Sequence, residues 1–210
     1  MQHARAIRRA LLAWYDAHAR DLPWRRTNDP YRIWLAEIIL QQTRVDQGLP
    51  YYQRFIAAFP TVQALAEAGE DDVLKLWEGL GYYTRARNLH KAARTLVEHH
   101  QGAFPEQAKL LQLLPGIGRY TAGAIASVAF GERAPVLDGN VKRVLARLFD
   151  LDACIDDAQT EQELWRMAAS LVPPRRPGDF NQAMMELGAR LCTPRKPACH
   201  ECPAAKWCQA

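Results

Sequence analysis

The sequence predicts an all-α protein built as two packed lobes. Apolar residues recur at helical spacing along almost the whole chain. No segment alternates polar and apolar at period two, so no sheet is expected. Proline and glycine punctuate the pattern at short intervals, which divides it into about ten short helices.

Ile7, Leu11, Trp14 and Tyr15 define a first amphipathic helix, and Asp21-Leu22-Pro23-Trp24 breaks it. Tyr31 to Gln42 reads as a second helix, apolar on nearly every side and therefore buried. Further helices are expected near 48–58, 61–67, 70–79, 84–99, 106–112, 119–130, 139–149, 160–171 and 179–191. The joints fall at Pro60, Gly69, Gly102, Pro105, Pro115-Gly116 and Pro173-Pro174. There is no internal repeat and no low-complexity tract.

With 210 residues, 49% of them hydrophobic, the chain can bury a sizeable core in one large domain or two small ones. No stretch approaches the run of about 20 apolar residues that a membrane helix needs, and no signal-peptide pattern precedes the first helix. A soluble intracellular protein with no membrane association is expected. The formal charge of +4 suits a polyanionic partner without demanding one. Five cysteines are present, four of them within the last 19 residues. In a chain without a secretion signal that clustering favours a metal site over disulfides. Cys154 stands apart and reads as a small core or surface residue.

The cysteine spacing is Cys192, six residues, Cys199, two residues, Cys202, five residues, Cys208. Structural zinc sites pair their ligands in close doublets, and only one gap here is that short. A cubane [4Fe–4S] cluster takes one thiolate at each of four separated iron corners, which suits wider gaps. Spacing favours the cluster and leaves zinc open. Arg195, Lys196 and Lys206 lie on the same loop, where cations either contact phosphates or are simply solvated.

Leu114-Pro115-Gly116-Ile117-Gly118 lies between two helical stretches. Gly116 and Gly118 permit a tight turn whose backbone N–H groups point outward at the start of the next helix, a geometry that binds phosphate. An ordinary corner between helices uses the same residues. Asp138 opens Gly139-Asn140-Val141-Lys142 and fits an N-cap. Held beside a cleft it would also face a developing cation, and both roles can coexist. Glu37 sits within Ile33-Trp34-Leu35-Ala36-Glu37-Ile38-Ile39-Leu40. Desolvation there would prepare it as a general acid, whereas a single wet stripe on the helix would leave it ordinary. Two carboxylates in different environments suit chemistry at a glycosidic carbon, one protonating the leaving group and the other stabilising an oxocarbenium-like centre.

Taken together, these segments resemble the helix-hairpin-helix DNA glycosylases that carry a [4Fe–4S] cluster, and most closely the MutY-type adenine glycosylases. The resemblance runs through Leu22-Pro23-Trp24-Arg25, Asp29-Pro30-Tyr31 to Gln41-Gln42-Thr43, and Leu76-Trp77-Glu78-Gly79-Leu80-Gly81-Tyr82-Tyr83 with Arg85-Ala86-Arg87-Asn88-Leu89. It continues through Leu114 to Gly118, Ala122-Gly123-Ala124, Val136-Leu137-Asp138-Gly139-Asn140-Val141 and the cysteine loop. It implies a six-helix barrel over residues 22–132 and a cluster lobe from residues 1–21 and 133–210, with a DNA-binding cleft between. The partner it implies is double-stranded DNA holding a mispaired base, with the target nucleotide flipped out of the stack. A monomer is expected, cytoplasmic and, by its function, nucleoid-associated in a bacterium.

The resemblance also implies roles. The glutamate matching Glu37 protonates adenine at N7, and the aspartate matching Asp138 stabilises the sugar cation, transiently bonding to it. Tyr120 stands where relatives that cut the strand carry a lysine. A phenol forms no Schiff base, so base release without strand cutting is expected, with the hydroxyl assisting Asp138. Gln42 and Tyr82 match residues that wedge into the duplex, core packing being the other reading for Tyr82. Arg25 and Asn140 match pocket-lining residues, Gly116 and Gly118 the phosphate-gripping hairpin, and Cys192, Cys199, Cys202 and Cys208 the cluster ligands. Family members continue into a Nudix-like domain that inspects 8-oxoguanine, whereas this sequence ends two residues after Cys208. Reading of 8-oxoguanine is therefore expected to be weaker, and adenine removal opposite guanine less affected. Thymine or uracil excision opposite guanine is the alternative activity.

Overall fold

The computed structural model describes residues 3–155 and 157–210. Residues 1 and 2 of the expected 1–21 segment, and residue 156, lie outside the described residues. Among the described residues there are helices and no strand: α1 (Ala4–His18), α2 (Pro30–Ile39), α3 (Val45–Ala58), α4 (Val62–Glu67), α5 (Glu70–Trp77), α6 (Thr84–His100), α7 (Ala108–Leu111), α8 (Arg119–Ala129), α9 (Gly139–Leu148), α10 (Ala158–Leu171) and α11 (Pro177–Arg190). Short 3₁₀ turns at Pro23–Arg25, Cys199–Glu201 and Ala205–Trp207 complete them. None of the helices is long and apolar enough to cross a membrane. The chain divides into two compact units, residues 22–130 and residues 1–21 with 131–210.

The first unit is organised around α2. Asp29 caps it by accepting from the Tyr31 backbone N–H at 2.9 Å, and Pro30 supplies the fixed φ of a first helical residue. Tyr31, Ile33, Trp34, Leu35, Ala36, Ile38 and Ile39 are all buried, so the helix is covered on almost every side. It packs on α3, α6 and α8, while α4 and α5 pack on α6 and α7 on α8. Trp34 meets Phe104 edge to face and Phe55 meets Trp77 in the same way.

Sequence periodicity extends the second helix to Gln42, yet α2 stops at Ile39. The cause lies in α6. The Arg85 guanidinium accepts the duty of the next turn by donating to the carbonyls of Ile38, Ile39 and Gln41. A charged fork satisfies the orphan carbonyls of the helix end, and the backbone is free to leave the helical path. The expected helix at 70–79 likewise ends at Trp77, because Gly79 takes φ +92° and its Cα faces the Tyr51 hydroxyl, which donates to the Glu78 carbonyl. The 106–112 segment is helical only from Ala108 to Leu111.

In the second unit α11 packs against α1 and α9, and α10 packs against α9. Its buried face carries polar groups that are each paired. Asn181 donates to the Ala134 carbonyl at 2.8 Å, and Gln182 accepts from the Tyr15 hydroxyl at 2.8 Å. Glu186 is entirely buried and receives a two-pronged bond from Arg20 at 2.7 and 2.8 Å, with Arg190 at 3.8 Å. Removing one partner of such a pair strands a buried charge. Arg20→Met is expected to cost about 2 kcal/mol, less than a fully buried pair would, because Arg20 is partly in water and Arg190 remains; thermal denaturation measures it.

Candidate active site

Glu37 lies in the last turn of α2, half-buried among side chains that are buried on both sides of it. Its Oε2 accepts from the Tyr120 hydroxyl at 2.6 Å. Tyr120 is the second residue of α8, and α2 and α8 pack together, with Gln41 donating to the Thr121 hydroxyl at 3.3 Å as a second tie. A short phenol-to-carboxylate bond fixes the orientation of the carboxyl group and lets a proton be held or handed over along a defined line. This hydroxyl bond to Glu37, within residues 22–130, is a pairing that 83 residues of sequence separation had concealed.

Asp138 is the N-cap of α9, accepting from the Val141 N–H at 2.7 Å through Oδ1. Its Oδ2 accepts from the Asn140 side-chain amide at 2.9 Å. Asn140 is held in turn by Arg143, which donates to its Oδ1 at 2.9 Å and to the Gly188 carbonyl at 2.7 Å. Gly188 lets Asn140 come close, since a Cβ there would stand 2.7 Å from the Asn140 Cβ. The two oxygens of this carboxyl group thus take separate donors. Burial pushes the Asp138 carboxyl above the usual carboxylate range, while the bonds from Val141 and Asn140 and the Arg143 charge pull it back.

The hairpin residues part ways. Gly116 adopts φ +74°, and a Cβ there would lie 2.6 Å from the Cβ of Asn88. Gly118 has φ −81° and open space around it, and serves as N-cap of α8. Of the two, Gly116 is the one whose backbone conformation and close neighbour favour glycine.

Arg25 closes the Pro23–Arg25 turn and is half-buried. Gln42 and Tyr82 are both exposed, Tyr82 at 68%, which removes core packing as the reading for Tyr82. Both carry positive φ, +56° and +47°. Sequence reasoning assigned no role to Arg85 or Arg143. Each binds carbonyls from distant segments, and nothing in local spacing signals that.

Cys192, Cys199, Cys202 and Cys208 are free thiols, as is exposed Cys154. Among the described residues no group of three or more His, Cys, Asp or Glu is drawn together closely enough to hold a metal ion. The Cys202 thiol is pushed up by burial and, to a lesser degree, by Cys192, Cys208 and Cys199. Arg147 donates to the Cys192 sulfur at 3.4 Å and to the Thr193 and Pro194 carbonyls, and Arg143 to the Cys192 carbonyl at 2.8 Å. Four thiols with a cation at hand are a donor set suited to an iron–sulfur centre.

Residues 35–170 match the HhH-GPD superfamily of base excision DNA repair proteins, and the chain belongs to that superfamily. It is 50% identical to the human adenine DNA glycosylase over 214 residues, 98% of this chain and 39% of that protein. It is also 50% identical to the adenine DNA glycosylase of Rattus norvegicus, covering 98% of this chain and 42% of that one. The chain thus spans about two fifths of the length of these curated relatives. Its fold superimposes on a thermostable thymine-DNA glycosylase with a TM-score of 0.88 at 30% identity, covering 99% of this chain and 96% of that chain.

Two outcomes are expected. Gly116→Ala should lose about 2 kcal/mol, from left-handed strain and the collision with Asn88, whereas Gly118→Ala should lose less than about 1 kcal/mol, the difference between glycine and alanine at a cap; thermal denaturation separates them. For Asp138 the folded pKa is raised, so the native state takes up the proton more readily than the unfolded chain. The stability of the wild type relative to Asp138→Asn should therefore rise as pH falls through the folded pKa and level off below the unfolded one.

Proposed function

We propose that this chain is a base-excision-repair DNA glycosylase that releases adenine mispaired with 8-oxoguanine or guanine. The observation that carries the reading is the Tyr120–Glu37 bond of 2.6 Å, an oriented acid on a buried helix. The 50% identity to proteins named adenine DNA glycosylase supports adenine as the base.

In the proposed reaction the duplex yields its target nucleotide by flipping, because the glycosidic bond is inaccessible in the stack. Glu37 protonates the adenine ring at N7, aimed by the Tyr120 hydroxyl, and the base departs as a neutral leaving group. Positive charge develops on the sugar as the bond breaks. Asp138, held in place by its donors, stabilises that charge in its ionised form, and water completes the hydrolysis. Asn140 orients Asp138, Arg25 lines the pocket, and Gln42 and Tyr82 enter the gap in the duplex. The Gly116 turn presents backbone N–H groups to a phosphate. Tyr120 offers no amine for a Schiff base, so the product is an abasic site in an uncut strand.

Cys192, Cys199, Cys202 and Cys208 are proposed to hold a [4Fe–4S] cluster, which supplies a rigid thiolate-bound knot to the loop. Arg143 and Arg147 then tie that loop to α9. Purified protein should be brown and contain iron and sulfide; stoichiometric zinc without iron would overturn the assignment.

Thymine or uracil release opposite guanine is the second reading, favoured by the fold match to a thymine-DNA glycosylase at a TM-score of 0.88. Labelled duplexes with A:8-oxoguanine, A:G, T:G and U:G, treated with alkali after incubation, separate the two. Nicking confined to the T and U strands sinks the adenine reading, and nicking without alkali sinks the uncut product. Glu37→Gln is expected to lower the adenine release rate by about 100-fold or more, the scale of a lost general acid.

A further inference from the structure

Gln42 and Tyr82 are separated by 39 residues, yet they share two unusual properties. Both have exposed side chains, and both have left-handed backbones, with φ +56° and +47°. Non-glycine residues hold that conformation only when their surroundings impose it. The imposing group is the same in both cases. Arg85, in the first turn of α6, donates through Nη1 to the carbonyls of Ile38, Ile39 and Gln41, and through Nη2 to those of Leu80 at 3.1 Å and Gly81 at 3.4 Å. The residue preceding each tip is thereby pinned to one planar cation. The guanidinium also lies 5.0 Å from the centroid of the Trp77 ring and 5.7 Å from that of Tyr82. Trp77 donates to the Gly81 carbonyl at 2.9 Å, which closes the second loop from below.

We infer that Arg85 is a positioning residue that holds Gln42 and Tyr82 as one preformed wedge for the gap left by a flipped nucleotide. The inference rests on the base-flipping reading above, but not on which base is released. A cap for α2 alone would need only the carbonyls of Ile38, Ile39 and Gln41. The bonds to Leu80 and Gly81 lie outside α2 and join the second tip to the same cation as the first. Lysine cannot replace the arrangement. Its ammonium is a single point with three donors and no plane, so it reaches one carbonyl group or the other.

The test uses the full chain and a duplex carrying a tetrahydrofuran abasic analogue, compared with the same duplex intact. The abasic gap is what the wedge would fill, and no base chemistry enters the readout. Arg85→Lys is expected to lose about 10-fold or more of the preference for the gapped duplex. In a Gln42→Ala, Tyr82→Ala background, where that preference is already reduced, Arg85→Lys should cost little more, because positioning has nothing left to position. An equal loss in both backgrounds overturns the inference and marks Arg85 as merely structural, as does full retention of the preference in Arg85→Lys. A wild type that binds both duplexes equally overturns the base-flipping reading itself. Should the lysine variant fail to fold, Arg85→Gln, whose one amide cannot reach both sets of carbonyls, is measured in the same two backgrounds: a loss of about 10-fold or more confined to the background that keeps Gln42 and Tyr82 supports the inference, and an equal loss in both overturns it.

Discussion

Burial of α2 on nearly all its sides is the constraint from which much of the unit spanning residues 22–130 follows. A helix whose residues Ile33 to Ile39 are almost all out of water cannot satisfy polar groups with solvent. Its one carboxylate, Glu37, is only half-buried and takes a donor from a packed neighbour, the α8 phenol of Tyr120. Its terminal carbonyls must find donors too, and the α6 guanidinium of Arg85 meets those. The same burial that makes α2 the core of the unit therefore dictates which side chains surround the candidate acid.

The second unit solves a related problem with the same chemistry. Arg143 spans the Asn140 side chain, the Gly188 carbonyl and the Cys192 carbonyl, three points contributed by α9, α11 and the loop beyond. A guanidinium is suited to this because its five donors lie in one plane with fixed spacing, and its weak hydration makes partial burial tolerable. In each unit, a rigid cation sets backbone positions near a candidate functional group, without touching the reacting atoms in the proposed chemistry.

The helices were legible because burial imprints a 3.6-residue period on the sequence, and most observed spans lie within a few residues of the periodic ones. The end of α2 was not, because it is decided by Arg85, more than forty residues away. The hairpin was half legible. Gly116 and Gly118 look alike in a string of letters, and only the φ of each and the nearness of Asn88 tell them apart. Asp138 was ambiguous between cap and site because it is positioned by being a cap. Tyr120 could be noticed by its place in a motif, but its bond to Glu37 is a product of α2 packing on α8 and leaves no local trace. The cysteine spacing was visible at once, whereas the grip of Arg147 on that loop depends on α9 lying beside it.

That grip makes α9 a shared strut. Asp138 caps one end, and near the other Arg147 holds Thr193 and Pro194 while its own carbonyl accepts from the backbone N–H of Ala210 and the thiol of Cys208. The helix of ten residues is about 15 Å long at 1.5 Å per residue. Segments joined this tightly open together rather than one by one, as a single cooperative unit. Damage confined to the cysteine loop would then be felt as faster amide hydrogen exchange along α9, reaching the very N–H of Val141 that Asp138 binds.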